Sequence, residues 1–163
     1  MDCQTFPILS PSFLMLPANV LASRFDRSFA LYRDFAESLD EPTLGEKLPG
    51  LPSNTIGLQL WCVVGARESY ARAIGAGSWA GFACSLASPM EKSPVAEALG
   101  RSANEVRLVL DGIEGFSETQ QGLILDLLEH EAAHQGQLIR YLYGLRLAIP
   151  ESWRARYALS DLS

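Results

Sequence analysis

The chain holds two histidines, His130 and His134, in the run Leu128-Glu129-His130-Glu131-Ala132-Ala133-His134-Gln135-Gly136-Gln137. On a helix, a spacing of four stacks both rings on one face, within reach of a single ion. Neutral imidazole is the commonest nitrogen donor to divalent transition metals. Two donors do not make a site, so the third ligand decides the chemistry.

His130-Glu131-Ala132-Ala133-His134 also satisfies the zincin pattern, two zinc-binding histidines with a glutamate general base between them. A zincin needs a third ligand from downstream and a sheet edge to hold an extended peptide. After His134 only Glu151 and Asp161 remain as carboxylates, with no further histidine. The protease reading is set aside on those grounds.

Cys62 is the better third donor. Its own helix face carries Leu58, Gly65, Ala66, Ser69 and Ala73, mostly small residues that leave space beside the thiol. A thiolate with two imidazoles suits zinc and leaves a fourth position open to water or substrate. A cysteine among apolar neighbours is equally explained as a small buried hydrophobe. Spacing alone does not choose between the two.

Four segments with helical periodicity must position these groups. The first spans 17–39, with Pro17 in its opening turn and an apolar stripe through Val20, Leu21, Phe25, Leu31, Tyr32, Phe35 and Leu39. Asp40-Glu41-Pro42-Thr43 stops it, and the Gly- and Pro-rich loop to Pro52 is long enough to border a site. The second spans 54–74, capped from Ser53-Asn54-Thr55 and closed by Gly75-Ala76-Gly77, with Trp79 and Phe82 expected on the core beyond it. The third spans 94–114, opens at Ser93-Pro94 and stays in phase across Gly100. The fourth spans 118–144 and opens on the capping-box pattern Ser117-Glu118-Thr119-Gln120. Its inward row is expected to run Leu123, Leu127, His130, His134, Gln137, Tyr141 and Leu145. A short terminal segment, 150–159, carries Trp153, Tyr157 and Leu159 to one end. With no strand pair, repeat or low-complexity tract, the expectation is one all-α domain over 1–163, a four-helix bundle.

Composition narrows the function classes. Of 163 residues, 48% are apolar and 20% charged, a globular balance. The net charge of −6, with no basic run, argues against nucleic acid and anionic membrane surfaces as partners. Cys3, Cys62 and Cys84 are too few, and odd in number, for a disulfide framework, which points to a reducing cytoplasm. The opening Met1-Asp2-Cys3-Gln4 lacks a basic n-region, and Pro7, Pro11 and Pro17 interrupt the apolar stretch behind it, so no signal peptide is expected. No apolar run approaches the ~20 residues that span a bilayer.

Leu60-Trp61-Cys62-Val63-Val64-Gly65-Ala66-Arg67-Glu68-Ser69-Tyr70 and His130-Glu131-Ala132-Ala133-His134-Gln135-Gly136-Gln137-Leu138-Ile139 resemble the two signature segments of the DinB/YfiT-like superfamily. The resemblance runs from the first helix to the terminal segment and implies the DinB-like four-helix bundle. It also implies a divalent metal held by one histidine on the second helix and two on the fourth. His130 and His134 match the latter pair, while Cys62 stands where the family has its second-helix histidine. That exchange favours zinc, with nickel, manganese or iron as alternatives, or else marks a site that no longer holds metal. Glu131 and Tyr141 are the candidate catalytic residues, and Gln137 is a further candidate to orient a metal-bound water. Arg67 and Arg72 are expected to solvate the second helix.

Characterised relatives in the superfamily include thiol-dependent isomerases and transferases that use mycothiol or bacillithiol. The expected activity is therefore metal-dependent transfer, isomerisation or hydrolysis on a small-molecule substrate, with a low-molecular-weight thiol or water activated by the ion. The competing expectation is a metal-free, stress-associated structural or interaction module with a degenerate site. A homodimer is expected in either case.

Overall fold

Side-chain caps start two of the helices in the computed structural model, which describes residues 18–160. The described chain is all-helical and carries no strand: α1 (Ala18–Ser38), α2 (Ile56–Ala76), α3 (Lys92–Asp111), α4 (Glu118–Gly144) and α5 (Glu151–Tyr157), with a 3-10 turn at Pro42–Gly45. Pro7, Pro11, Pro17, Cys3 and Asp161 lie outside the described residues. Thr55 caps α2, its hydroxyl accepting from the Leu58 N–H at 3.2 Å, and Gly77 ends that helix at a left-handed φ of 69°. At the start of α4 the capping box closes both ways. Ser117 Oγ accepts from Gln120 N–H at 3.3 Å, and the Gln120 side chain accepts from Ser117 N–H at 2.9 Å. The third helix runs unbroken across Gly100 but begins at Lys92, so Ser93 lies inside it rather than capping it.

α2 is the central element. It packs along both α3 and α4, while α1 packs along α3 and touches α4 and α5. Its buried residues run from Ile56 to Ile74 over most of its circumference, including Gln59, Arg67, Glu68 and Ser69. Its solvent face is narrow, a stripe through Leu58, Trp61, Cys62 and Arg72, so polar groups elsewhere on the helix must find partners inside. Two apolar clusters flank that polar girdle. One gathers Tyr32, Phe35, Ile56, Leu60, Leu138 and Trp153, the other Phe25, Phe29, Ile74, Val106 and Leu127. No helix among the described residues is long and apolar enough to cross a membrane.

Two loop expectations need correction. Trp79 and Phe82 are 48% and 45% exposed instead of sitting in the core. They pack as a lid on α2, Trp79 against Tyr70 at 4.9 Å and Phe82 against Trp61 at 5.3 Å. The loop after α1 sends Leu44 and Leu48 into the core. The segment between α2 and α3 is the one that borders Cys62. There Ser69 Oγ donates to Ala83 O and accepts from Ala83 N–H, Glu68 accepts from Ser85 N–H, and Cys84 Sγ donates to Trp61 O.

Glycines permit this docking. A Cβ on Gly57 would lie 2.1 Å from Pro89 O, and one on Gly65 would lie 2.3 Å from the Phe82 ring. A carbonyl oxygen cannot swing aside as a side chain can. Gly57→Ala should therefore destabilise the fold by about 1–3 kcal/mol despite alanine's better helix propensity. Urea denaturation checks this, and an equally or more stable variant would contradict the close approach.

Candidate metal centre

Cys62 projects from α2, and His130 and His134 project from successive turns of α4. Cys62 Sγ stands 3.6 Å from His130 Nε2, and the two imidazole centroids are 4.5 Å apart at 44°. One donor atom from each of the three residues lies within 4.8 Å of the other two. A tetrahedral zinc with Zn–S of about 2.3 Å and Zn–N of about 2.0–2.1 Å sets sulfur and nitrogen about 3.6 Å apart. The Cys62–His130 separation already has that length, and side-chain shifts of about an ångström would close the rest. The three donors could hold one metal ion.

Electrostatics makes the site neutral before an ion arrives. Burial, and after it the charge on His130, lowers the His134 pKa to about 4, with Glu131 opposing. Burial lowers His130 as well, with Glu131 raising and Arg67 lowering it further. Burial raises the Cys62 thiol. These shifts disfavour a thiolate–imidazolium pair, the form that a Cys–His nucleophile requires. They leave both imidazoles free to ligate at neutral pH, while the thiol needs a cation to draw its proton off. Nδ1 of His130 and Nδ1 of His134 are buried with no hydrogen-bond partner among the described residues. An unpartnered buried polar atom costs about 1–3 kcal/mol, so protein alone satisfies this pair incompletely.

Glu131 sits elsewhere. It is 1% exposed, and Arg67, 0% exposed, grips it bidentately at 2.7 and 2.8 Å. The Ser28 hydroxyl donates to the same carboxylate, Gln135 donates to Ser28 Oγ at 2.6 Å, and the Tyr157 hydroxyl donates to Gln135. Tyr32 donates to the Glu131 carbonyl at 2.7 Å, and Arg67 reaches Leu99 O at 3.4 Å. The guanidinium lies over the Phe29 and Tyr32 rings, 4.5 and 4.9 Å from their centroids. α1, α2, α3 and α4 all contribute to this ion pair, and α5 joins the network through Tyr157 and Gln135.

Several expected roles change accordingly. Arg67 does not solvate α2, whereas Arg72 is exposed and donates to Ser69 Oγ at 3.2 Å. Tyr141 is buried, but its hydroxyl donates to Asn54 O and ties α4 to the start of α2. Gln137 is exposed. The cause is helix phase: the inward line of α4 runs Ile124, Leu127, Glu131, His134, Leu138, Tyr141 and Leu142. That is one residue, about 100°, from the line through Leu123, His130 and Gln137. His130 consequently stands half-buried at the rim. The signal for this was Arg67 itself, a cation set among the apolar and small residues Val63, Val64, Gly65, Ala66 and Ala71 of α2.

No family model matches this chain, and no curated protein matches it. The case for a site therefore stands on the donor geometry.

A metal-free acid titration reports on the buried rings. Unfolded, His134 takes up its proton near pH 6.5; folded, only near 4. Between those values the unfolded chain binds a proton that the folded chain refuses, so acidification favours unfolding. Stability is expected to be full above about 6.5 and to decline as pH falls towards 4, with His134→Gln flattening that decline. Urea midpoints across this window measure it, and a slope unchanged in His134→Gln would contradict the burial.

Proposed function

We propose that the chain is a DinB/YfiT-like protein in which α1–α4 form the four-helix bundle and α5 closes one end. In this reading Cys62, His130 and His134 hold one divalent metal, zinc favoured, for catalysis on a small molecule. The observation that carries it is the convergence of one sulfur and two imidazole donors, from two helices, within 4.8 Å. A bound divalent ion with three protein ligands supplies an open position at which a water or a low-molecular-weight thiol becomes acidic. The chain's own residues do the rest. Arg67 and Glu131 lock the rotation of α4 against α2, which keeps His130 and His134 in phase with Cys62. Trp61 and Phe82 wall the cysteine side with apolar surface, which suits a small substrate more than a polymer. Thiolate with imidazole is a softer set than manganese prefers, which is why zinc leads nickel, iron and manganese. A homodimer in the cytoplasm and thiol-dependent transfer, isomerisation or hydrolysis belong to the same proposal.

Cobalt(II) substitution tests the ligand set. Thiolate ligation gives a near-ultraviolet sulfur-to-cobalt charge-transfer band, expected in the wild type and absent in Cys62→Ser. Calorimetry in buffers of different ionisation enthalpy should show about one proton released at neutral pH, the thiol's, because the imidazoles are already neutral. A cobalt complex without the charge-transfer band would remove Cys62 from the site.

A further inference from the structure

Beside Glu131, α1, α4 and α5 line an open groove of about 340 Å³ that includes none of Cys62, His130 and His134. Arg24, Arg27 and Arg156 line it, with Ser28 and Gln135 at its polar floor. A second cavity of about 330 Å³ adjoins it, sharing Arg27 and Arg156 and adding Ser152. We propose that this double groove binds a small, multiply charged anion through the three guanidinium groups, a phosphate or polycarboxylate in chemical class.

Charge imbalance is the first argument. The groove gathers three arginines in a chain of net charge −6. Its one lining carboxylate, Glu131, is already committed to Arg67. None of the ion pairs among the described residues involves Arg24, Arg27 or Arg156. Arg24 and Arg27 lie three apart on α1, one turn along the same face, and Arg156 comes from α5. Burial first, then the charges of Arg156 and Arg24, pull the Arg27 pKa down, with Tyr157 opposing, which agrees with the three cations lying near one another. Like charges placed this way repel; all three are exposed, and among the described residues no carboxylate pairs with them.

Contrast supplies the second argument. The cavity of about 370 Å³ between α1 and α3 also contains arginines, but Arg107 pairs with Asp26 at 2.6 Å and Arg33 with Asp34 at 2.9 Å. That cavity is internally neutralised; the Arg24–Arg27–Arg156 groove is not. The third argument is an unmet polar group. Ser152 Oγ is buried without a hydrogen-bond partner among the described residues, at the wall of the second cavity. Planar guanidinium forks match carboxylate and phosphate oxygens in pairs, and a hydroxyl beside them adds a donor. The volume is at the small end of ligand-sized pockets and suits a metabolite-sized anion. The groove stands independently of the metal, because none of its residues is a proposed ligand.

Titration of metal-free protein with inorganic phosphate and with citrate, at constant ionic strength, tests this. Both anions should raise the melting temperature of the wild type. Arg27→Ala and Arg156→Ala should each weaken calorimetric affinity by about tenfold or more, the loss expected for a charged hydrogen bond. Arg140→Ala, on the exposed side of α4, should bind like the wild type. Arg27→Ala should melt no earlier than the wild type in anion-free buffer, since it relieves repulsion, which separates loss of binding from loss of fold. Equal affinity in the wild type and both groove variants, or no affinity for either anion, overturns the proposal. Binding to vesicles of anionic phospholipid but to neither free anion also overturns it, and would assign the groove to a lipid surface.

Discussion

Arg67→Ala should cost about 3–5 kcal/mol of folding stability and lower the melting temperature by roughly 10 °C. The substitution strands the Glu131 carboxylate, 1% exposed, with the Ser28 hydroxyl as its remaining side-chain partner. It also removes the packing of the guanidinium over Phe29 and Tyr32. Glu131→Ala should be comparably severe, because it leaves a buried cation instead. The double replacement Arg67→Met with Glu131→Leu should recover most of the loss, since apolar groups of similar size often replace a buried pair at little cost. If the pair serves to set helix phase, that double variant should fold yet hold metal more weakly. Urea melts and zinc titration on the four proteins measure both effects. A single-mutant loss under about 1 kcal/mol would show that water reaches the pair.

His134→Ala should reduce zinc affinity by about a hundredfold or more, and Cys62→Ser by at least about tenfold, since changes even beyond the ligands cost 10–100-fold. Cys62→His should retain or broaden binding, because it supplies a nitrogen donor at the same point on α2. His134→Ala removes a ring of depressed pKa, so the metal-free variant should not lose stability at acid pH as the wild type does. That divergence, weaker metal binding with unimpaired folding in acid, distinguishes a ligand from a packing residue.

The local chemistry of the fold was legible in the chain. Ser117 and Gln120 close the capping box that their spacing predicts, and α4 spans Glu118–Gly144 as expected. The pattern also paired His130 with His134, and Cys62 does face His130. The exchange that eluded the pattern was between Glu131 and His130. Both sit next to the apolar line of α4, and hydrophobicity alone favours the imidazole for the inner position. Arg67 reverses the order, because a buried guanidinium on α2 demands a carboxylate opposite, and Glu131 is the one within reach. Long-range pairing of this kind leaves no periodic trace in either helix. Trp79 and Phe82 misled for a related reason: large aromatics ordinarily go inside, but the close approach at Gly57 and Gly65 presses their segment onto a helix already buried.

The most direct measurement is the zinc content of the purified wild type, prepared without chelator or nickel resin, beside a titration of the apo-protein and of Cys62→His. The account predicts about one zinc per chain in the wild type, with affinity weakening as pH falls and protons compete for the thiolate and imidazoles. A wild type that binds no zinc, nickel, manganese or iron at micromolar concentration, while Cys62→His binds readily, would contradict it. That result would make the cysteine the mark of a degenerate site and leave the chain a helical structural module.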